Sequence, residues 1–352
     1  MITIHRIICG LTLHFALTIP LAAADPIFPP GVEPEKLFDG IVLTEGVAVG
    51  PDGKAYFSDI TFSHVSKNER GEIHAGHIWR FDPATSKTEI FRSPSGMSNG
   101  IKFDARGNML VCEGADYGGR RVIRTDMATG MSHIIAGMYE GRQFNAPNDV
   151  TLDASGRIYF SDPRYLGHEP IDQPVVGVYR IDLDGKITRI ISDAGKANGV
   201  AVSPDQKTLY VVSNDNGATG FERLPKGDAA QADKNAAPLR KGFMALMAYD
   251  LGPEGNATFR KTLVDYGKFD GPDGLVCDES GNLVVAVRAE NRPGIYVYSP
   301  EGEELAYLKT EVPTNVGFGR GPDANLLYIT AGKSLYRIRT GIRGYQLPSG
   351  SR

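Results

Sequence analysis

Cysteine is scarce in this chain, with three in 352 residues. Cys9 lies in the first apolar stretch, which leaves only Cys112 and Cys277 in the body of the sequence. Both stand among Val, Leu and Met in strand-like segments, where a free thiol behaves as a small buried apolar residue. A disulfide-stapled scaffold is therefore not indicated, and two inert thiols are expected. Basic clusters are also missing: no Lys/Arg run exceeds a few residues and the formal charge is −4, which argues against nucleic acid as a partner. Amphipathic helical periodicity is almost absent, so helical bundles and layered α/β folds drop out together.

What the chain does have is 42 glycines and 22 prolines spread evenly along it, the mark of many short strands joined by tight turns. Its first residues, "MITIHRIICGLTLHFALTIPLAAADPIF", place one Arg6 before an apolar run from Ile7 to Leu21 and end in Ala22-Ala23-Ala24. That pattern is expected to be a secretory signal cleaved after Ala24, too short to span a membrane. No small-residue site precedes Cys9, so a lipid anchor is not expected. The mature chain is thus expected in the periplasm or outside the cell, with no membrane partner. Residues 25–345 are expected to form one domain and 346–352 a tail.

The stretch "GMSNGIKFDARGNMLVCEG" from Gly96 opens with G-x-S-x-G, the pattern of a serine hydrolase nucleophile elbow, and so draws attention to Ser98. An elbow requires a strand turning into a helix. After Gly100 the apolar residues alternate instead, through Ile101 and Phe103, then Met109 and Val111 around the turn "ARGN". A strand, a hairpin and a second strand are predicted there, and Ser98 is not expected to be a nucleophile.

The same stretch recurs. "EGVAVGPDGKAYFSD", "NGIKFDARGNMLVCE", "NDVTLDASGRIYFSD", "NGVAVSPDQKTLYVVS", "DGLVCDESGNLVVAV" and "NVGFGRGPDANLLYIT" begin at residues 45, 99, 148, 198, 273 and 315. The intervals of 54, 49, 50, 75 and 42 residues suit propeller blades better than ankyrin or leucine-rich repeats. Strand signals follow in fours, as in "GVAVG", "KAYFSD", "HIWRFD" and "KTEIFR". The prediction is an all-β, six-bladed β-propeller with four antiparallel strands per blade. "EKLFD" at 35–39 precedes the first copy, and the last unit runs out after "SLYRIRT", so the N-terminal strand should complete the last blade and close the ring.

Turns such as "PDGK" and "LDGK" are short, whereas residues 60–75, 114–119, 137–147, 163–176 and 214–244 form long connections. In an up-and-down blade these emerge on the face where each innermost strand begins, and binding residues tend to sit on such loops. The first residue of each copy stands at that point: Glu45, Asn99, Asn148, Asn198, Asp273 and Asn315. Asn-Gly and Asp-Gly pairs also serve as plain turns, but a turn needs neither Glu45 nor Asp273. Six oxygen-bearing side chains around one axis, without Cys or His, suit Ca²⁺, and less well Mg²⁺ or Mn²⁺.

These residues resemble the calcium-dependent six-bladed propellers of the gluconolactonase and senescence-marker (regucalcin) family. The likeness runs from about Glu35 to Arg339. "MYEGRQFNAPNDVTLDASGRIYFSDPRY" looks like the gluconolactonase branch, supported by "ANGVAVSPD" and "DGPDGLVCDESGNL". The resemblance implies a metal held by Glu45, Asn148, Asn198 and Asp273, with Zn²⁺, Mn²⁺ or Mg²⁺ as alternatives to Ca²⁺. It also implies that Asp273 is the catalytic base or nucleophile and that Asn99 lines the pocket. Two departures fall at the expected rim. Gln143, with Arg142 beside it, stands where many relatives have an arginine, and Arg164 stands where a proline is common after "D-P".

The activity so implied is hydrolysis of lactones, sugar-acid lactones first; Arg142 or Arg164, at the expected rim, is expected to orient the substrate. Aryl esters or organophosphates on the same site, and a non-catalytic calcium or carbohydrate binder, are the competing readings. Among the remaining candidates, His74 and His77 of "HAGH" are expected at the surface. Asp59 and Asp162 of the two "FSD" segments are expected to bond neighbouring turns. Trp79 and Tyr56, Tyr159, Tyr179, Tyr210 and Tyr296 are expected in packing between blades. The segment 214–243 is expected to be a solvated excursion.

Overall fold

The computed structural model describes residues 26–216 and 242–347. The expected signal segment and most of the 214–243 excursion lie outside the described residues. Among the described residues there are six four-stranded antiparallel sheets and one two-stranded hairpin. The first blade runs outward from the axis through Thr44–Val49, Ala55–Asp59, His77–Asp82 and Lys87–Arg92. Four more blades start on the innermost strands Ser98–Phe103, Val150–Leu152, Ala197–Val202 and Pro272–Cys277. The sixth takes Pro313–Phe318, Leu326–Ala331 and Ser334–Arg339 from the end of the chain and Glu35–Asp39 from its beginning. The six-bladed propeller and its mode of closure are thus both present.

Burial follows position in the blade. The innermost Thr44–Val49 and the second strand Ala55–Asp59 are buried throughout, while the outermost Lys87–Arg92 is largely exposed. This is why the repeat copies read as near-continuous apolar runs while the outer strands do not. The core lies between blades rather than within them. Tyr56 of the first blade packs with Ile101, Phe103 and Val111 of the second, and Tyr159 of the third with Val200 and Val211 of the fourth. Each ring stays apolar while its hydroxyl bonds a turn carboxylate of its own blade, at Asp52 (2.8 Å) and Asp153 (2.9 Å), which satisfies the one polar atom it carries inward.

Two contacts fasten the ring. Phe38, on the N-terminal strand, meets Trp79 and Phe57 of the first blade with ring centroids 4.8 and 5.9 Å apart, and Glu35 is paired with Arg337 at 2.7 Å. At the end of the channel away from the long loops, the C-terminal segment crosses the opening. Tyr345 N donates to the Cys277 carbonyl (3.0 Å), and Gln346 Nε2 donates to the Gly319 carbonyl (3.3 Å). With Leu347 these residues line that end of the channel. Both cysteines are free and buried. Their sulfurs lie 3.7 Å from carbonyls of neighbouring blades, Cys112 at Asp149 and Cys277 at Val202, and burial pushes the Cys277 thiol up to about 12.

Deleting residues 26–40 removes no ring residue but strips the outer strand from the sixth blade and leaves Ser334–Arg339 as an open edge. The expected result is a fall in melting temperature of roughly 10 °C or more, with loss of monodispersity. An unchanged melting curve would show that the ring closes without this strand.

Candidate metal and active site

The mouth of the channel is shaped first by how closely the innermost strands approach one another. A Cβ at Gly46 would stand 2.0 Å from the Asn99 carbonyl oxygen, one at Gly199 would stand 2.4 Å from the Asp273 carbonyl oxygen, and one at Gly274 would meet the Asn315 side chain at 2.2 Å. Gly100 N donates directly to the Asn148 carbonyl at 2.7 Å. The second position of most copies is glycine because the next blade occupies the space of a side chain, and only Gly46 among these has the positive φ that a turn reading would require. The first position of each copy is thereby held beside its neighbour. Glu45, Asn99, Asn148, Asn198, Asp273 and Asn315 are all buried, each 4–7% exposed.

The acids of the "FSD" segments fix the loops that lead into this ring. Asp59 accepts from the backbone N–H groups of Ile41, Val42 and Leu43, just before Glu45. Asp162 accepts from those of Asn145 and Ala146, just before Asn148. The serines of the same segments face the next blade: Ser58 Oγ donates to the Asn99 carbonyl (2.7 Å), and Ser161 Oγ to the Asn198 carbonyl (2.6 Å). Farther out, Ser63 donates from both N and Oγ to Asp116 at 2.7 Å, and Glu169 accepts from Asp116 N and Tyr117 N, so the long loops of three blades are tied into one wall.

Ser98 opens a strand, as its context requires, and its buried hydroxyl lies 3.4 Å from the His77 carbonyl. No elbow is present. His77 corrects the sequence reading: His74 is exposed, but His77 is buried, with Nδ1 2.9 Å from Ser93 Oγ, and burial holds its imidazole below the usual range.

The two arginines behave differently from expectation. Arg164 is 2% exposed and donates to the carbonyls of Asn145 (3.0 Å) and Glu169, so it braces the loop before Asn148 from behind. Its guanidinium is engaged by backbone carbonyls behind the loop and is not set at the rim where the sequence suggested it. Arg142 lies on a short exposed hairpin of Met138–Tyr139 with Arg142–Gln143, and its hydrogen bond runs to the Asp172 carbonyl at 3.4 Å rather than to the ring.

Electrostatically the ring is short of positive charge. Burial raises the Glu45 carboxyl well above the usual carboxylate range, and the charge on Asp273 adds to this. Burial also pushes Asp273 up to about 6, against the opposing pull of Arg288, whose Nη1 donates to Asp273 Oδ2 at 3.1 Å. Asp273 Oδ1 and Asn99 Oδ1 are buried with no hydrogen-bond partner within the protein, a rare condition for polar atoms that suits them to bind a ligand. Among the described residues no three or more His, Cys, Asp or Glu side chains form a metal cluster. The donor set is instead two carboxylates among amides, hard oxygens of the kind that Ca²⁺ takes. The residues present therefore fit a divalent oxygen-loving cation.

Four residues around this ring did not stand out in the sequence. Arg288 pairs with Asp273. Asp149 fills the place that four of the other copies give to glycine, accepts from Val200 N (3.2 Å) and adds negative charge near Glu45 and Asp273. Lys102 offsets Asp149 and lines the channel below the ring. Tyr165 accepts from Asn198 Nδ2 at 3.2 Å and donates to the Asn214 carbonyl, while Asn214 Nδ2 donates to the Pro272 carbonyl beside Asp273. A break in the repeat consensus was the available signal for Asp149 and Arg288.

The model of the SMP-30/gluconolactonase/LRE-like region matches residues 43–219 and 242–333. The chain belongs to this family. Among its relatives is a gluconolactonase of Zymomonas mobilis, 30% identical over 259 residues that cover 71% of this chain and 64% of the other. The chain thus spans a little under two thirds of that enzyme's length. Solved structures share the fold: a gluconolactonase of Xanthomonas campestris (TM-score 0.67, 21% identity, 92% and 99% of the two chains) and a calcium-binding regucalcin of Agrobacterium tumefaciens (0.63, 19%, 90% and 96%).

The raised carboxyl of Asp273 has a measurable consequence for stability. A carboxyl whose pKa is higher folded than unfolded contributes stability that is full below about pH 4 and is lost as pH rises through about 6. With metal chelated, the wild-type protein should lose about 2 kcal/mol more than Asp273→Asn between pH 4 and pH 7 in denaturant melts. Parallel stability curves for the two proteins would show that Asp273 is not held in this way.

Proposed function

We propose that this family member is a metal-dependent lactonase: a hydrolase of lactones, sugar-acid lactones foremost, that uses Ca²⁺ and works in the periplasm or outside the cell after loss of residues 1–24. The observation that supports this most is the pair of buried carboxylates, Glu45 and Asp273, with Asp273 Oδ1 and Asn99 Oδ1 left partnerless at the loop-face mouth. Glu45, Asn148, Asn198 and Asp273 would hold the ion, which supplies polarisation of an ester carbonyl and stabilisation of the developing oxyanion.

The chain's own groups divide the remaining work. Asp273 would hold the ion through one carboxylate oxygen, which leaves the other to take the proton of an attacking water. Asn99, its carbonyl fixed by Ser58, presents its amide to the same space and would orient a substrate hydroxyl or ring oxygen. Asn198 is held by Tyr165, so its amide oxygen keeps a fixed direction. Since the far end of the channel is crossed by residues 344–346, substrate enters from the loop face.

A panel of lactones and aryl esters, assayed by acid release with and without chelator and added Ca²⁺, tests the reading. Calcium-dependent turnover of lactones is the expected outcome; calcium binding without turnover of any of them would make the protein a binder. Asp273→Asn keeps a carbonyl oxygen but no proton acceptor, so turnover at saturating Ca²⁺ should fall at least about a hundredfold. Glu45→Gln should be largely rescued by more calcium. Equal rescue of both variants would reduce Asp273 to a ligand and move the base elsewhere.

A further inference from the structure

The fifth blade breaks the pattern of the first three. Register places Leu275 opposite Val285, as Val47 lies opposite Phe57, Ile101 opposite Val111 and Val150 opposite Phe160. Counting two residues on, Asp59, Glu113 and Asp162 have Val287 as their counterpart, and the next residue is Arg288. The loop before Asp273 has no acid from this strand to cap it. It is tied by Glu290, which accepts from Asp270 N at 3.0 Å, and by Arg288 N, which donates to the Gly271 carbonyl at 3.2 Å. The Arg288 main chain is thus bound independently of its side chain.

That side chain goes to the ring. Nη1 reaches Asp273 Oδ2 at 3.1 Å, Nε lies 4.0 Å from Asp270 Oδ2, and the guanidinium charge acts on Glu45 as well. About a quarter of the side chain is exposed at the mouth, so it has room to swing outward. On Asp273 one oxygen is engaged by the guanidinium and the other is buried and partnerless.

We infer that Arg288 is a built-in competitor of the divalent cation: it neutralises Asp273 and Glu45 in the metal-free protein, and metal binding breaks its ion pair with Asp273. This rests on the reading of the ring as a metal site. A buried carboxylate pair without a counter-charge is strongly destabilising, and a guanidinium supplies that charge without supplying electrophilic chemistry. Competition lowers metal affinity, because binding must first give up a charge-assisted hydrogen bond. It suits a protein that meets calcium at the high concentrations found outside cells, where sites of 10⁻⁴–10⁻³ M affinity are in use.

The sign of one measurement separates this from a supporting role. Titration of the chelated protein with Ca²⁺ alone, followed by calorimetry, should show Arg288→Met binding at least about tenfold more tightly than wild type, with a larger calcium-induced rise in melting temperature. If Arg288 instead holds the Asp270–Asp273 loop in shape, the variant should bind more weakly; weaker or unchanged affinity overturns the inference while leaving the metal site standing. No calcium binding by wild type overturns both. Arg288→Lys, which keeps the charge, should fall between the two. Should Arg288→Met not fold, arginine side-chain NMR of the wild type carries the test. The resonance absent from Arg288→Lys should lose its slow-rotating, ion-paired character on adding calcium, and an unchanged resonance overturns the inference.

Discussion

The close approach of six innermost strands around one axis is the constraint on which the rest depends. At Gly46, Gly199 and Gly274 the neighbouring blade stands where a Cβ would be, and this crowding lets side chains one residue earlier meet around the mouth. The same crowding removes water from them. Amides tolerate such a place if one or two hydrogen bonds are made, whereas carboxylates require a counter-charge. Six equivalent positions are therefore geometrically alike and electrostatically unlike, and Glu45 and Asp273 are the two that demand something in the middle.

How blades are held in register follows from a short segment used twice over. In "FSD" the serine clasps the next blade's innermost strand and the aspartate caps the loop entering its own. Cys112 takes the serine's place in the second blade, its sulfur against the Asp149 carbonyl, which accounts for a thiol that is neither bridged nor exposed. Where the fifth blade gives up the acid, the loop before Asp273 is retained by other means and the freed position carries Arg288. Scaffold and site are thus written in the same three or four residues of each repeat, and a change in one blade alters the mouth without altering the fold.

Much of this was legible from sequence. Repeat copies gave strand order, blade number and the closing strand 35–39, because an innermost strand buried on both faces leaves a continuous apolar run that stands out against glycine turns. They also gave the ring positions, since a propeller brings equivalent residues to one axis. What stayed hidden was anything that depends on departures from the repeat or on long loops. Arg142 and Arg164 were read as rim groups from their place near the expected mouth, yet backbone carbonyls claim Arg164 and an exposed hairpin carries Arg142. His77, expected at the surface, is covered because the 60–75 connection folds back over that end of the blade, with the Thr61 hydroxyl accepting from Gly76 N and donating to the His74 carbonyl. Arg288 had no motif at all.

Charge at the mouth ties these points together. Two carboxylates buried where amides would serve the scaffold equally well are a stability cost, and Asp149 adds a third negative charge to the same channel. Against them the chain sets Lys102 below the ring and Arg288 at its rim, one on each side of the plane where oxygens converge. Lys102 lies among channel walls with Asp149 as its opposing charge. Arg288 is partly exposed and hydrogen-bonded to a single oxygen of Asp273. A site built only for stability would dispense with the acids. Retaining the acids with a cation on either side offsets their charge and leaves Arg288, hydrogen-bonded to Asp273 itself, as the cation that can yield its place to an ion arriving from the loop face.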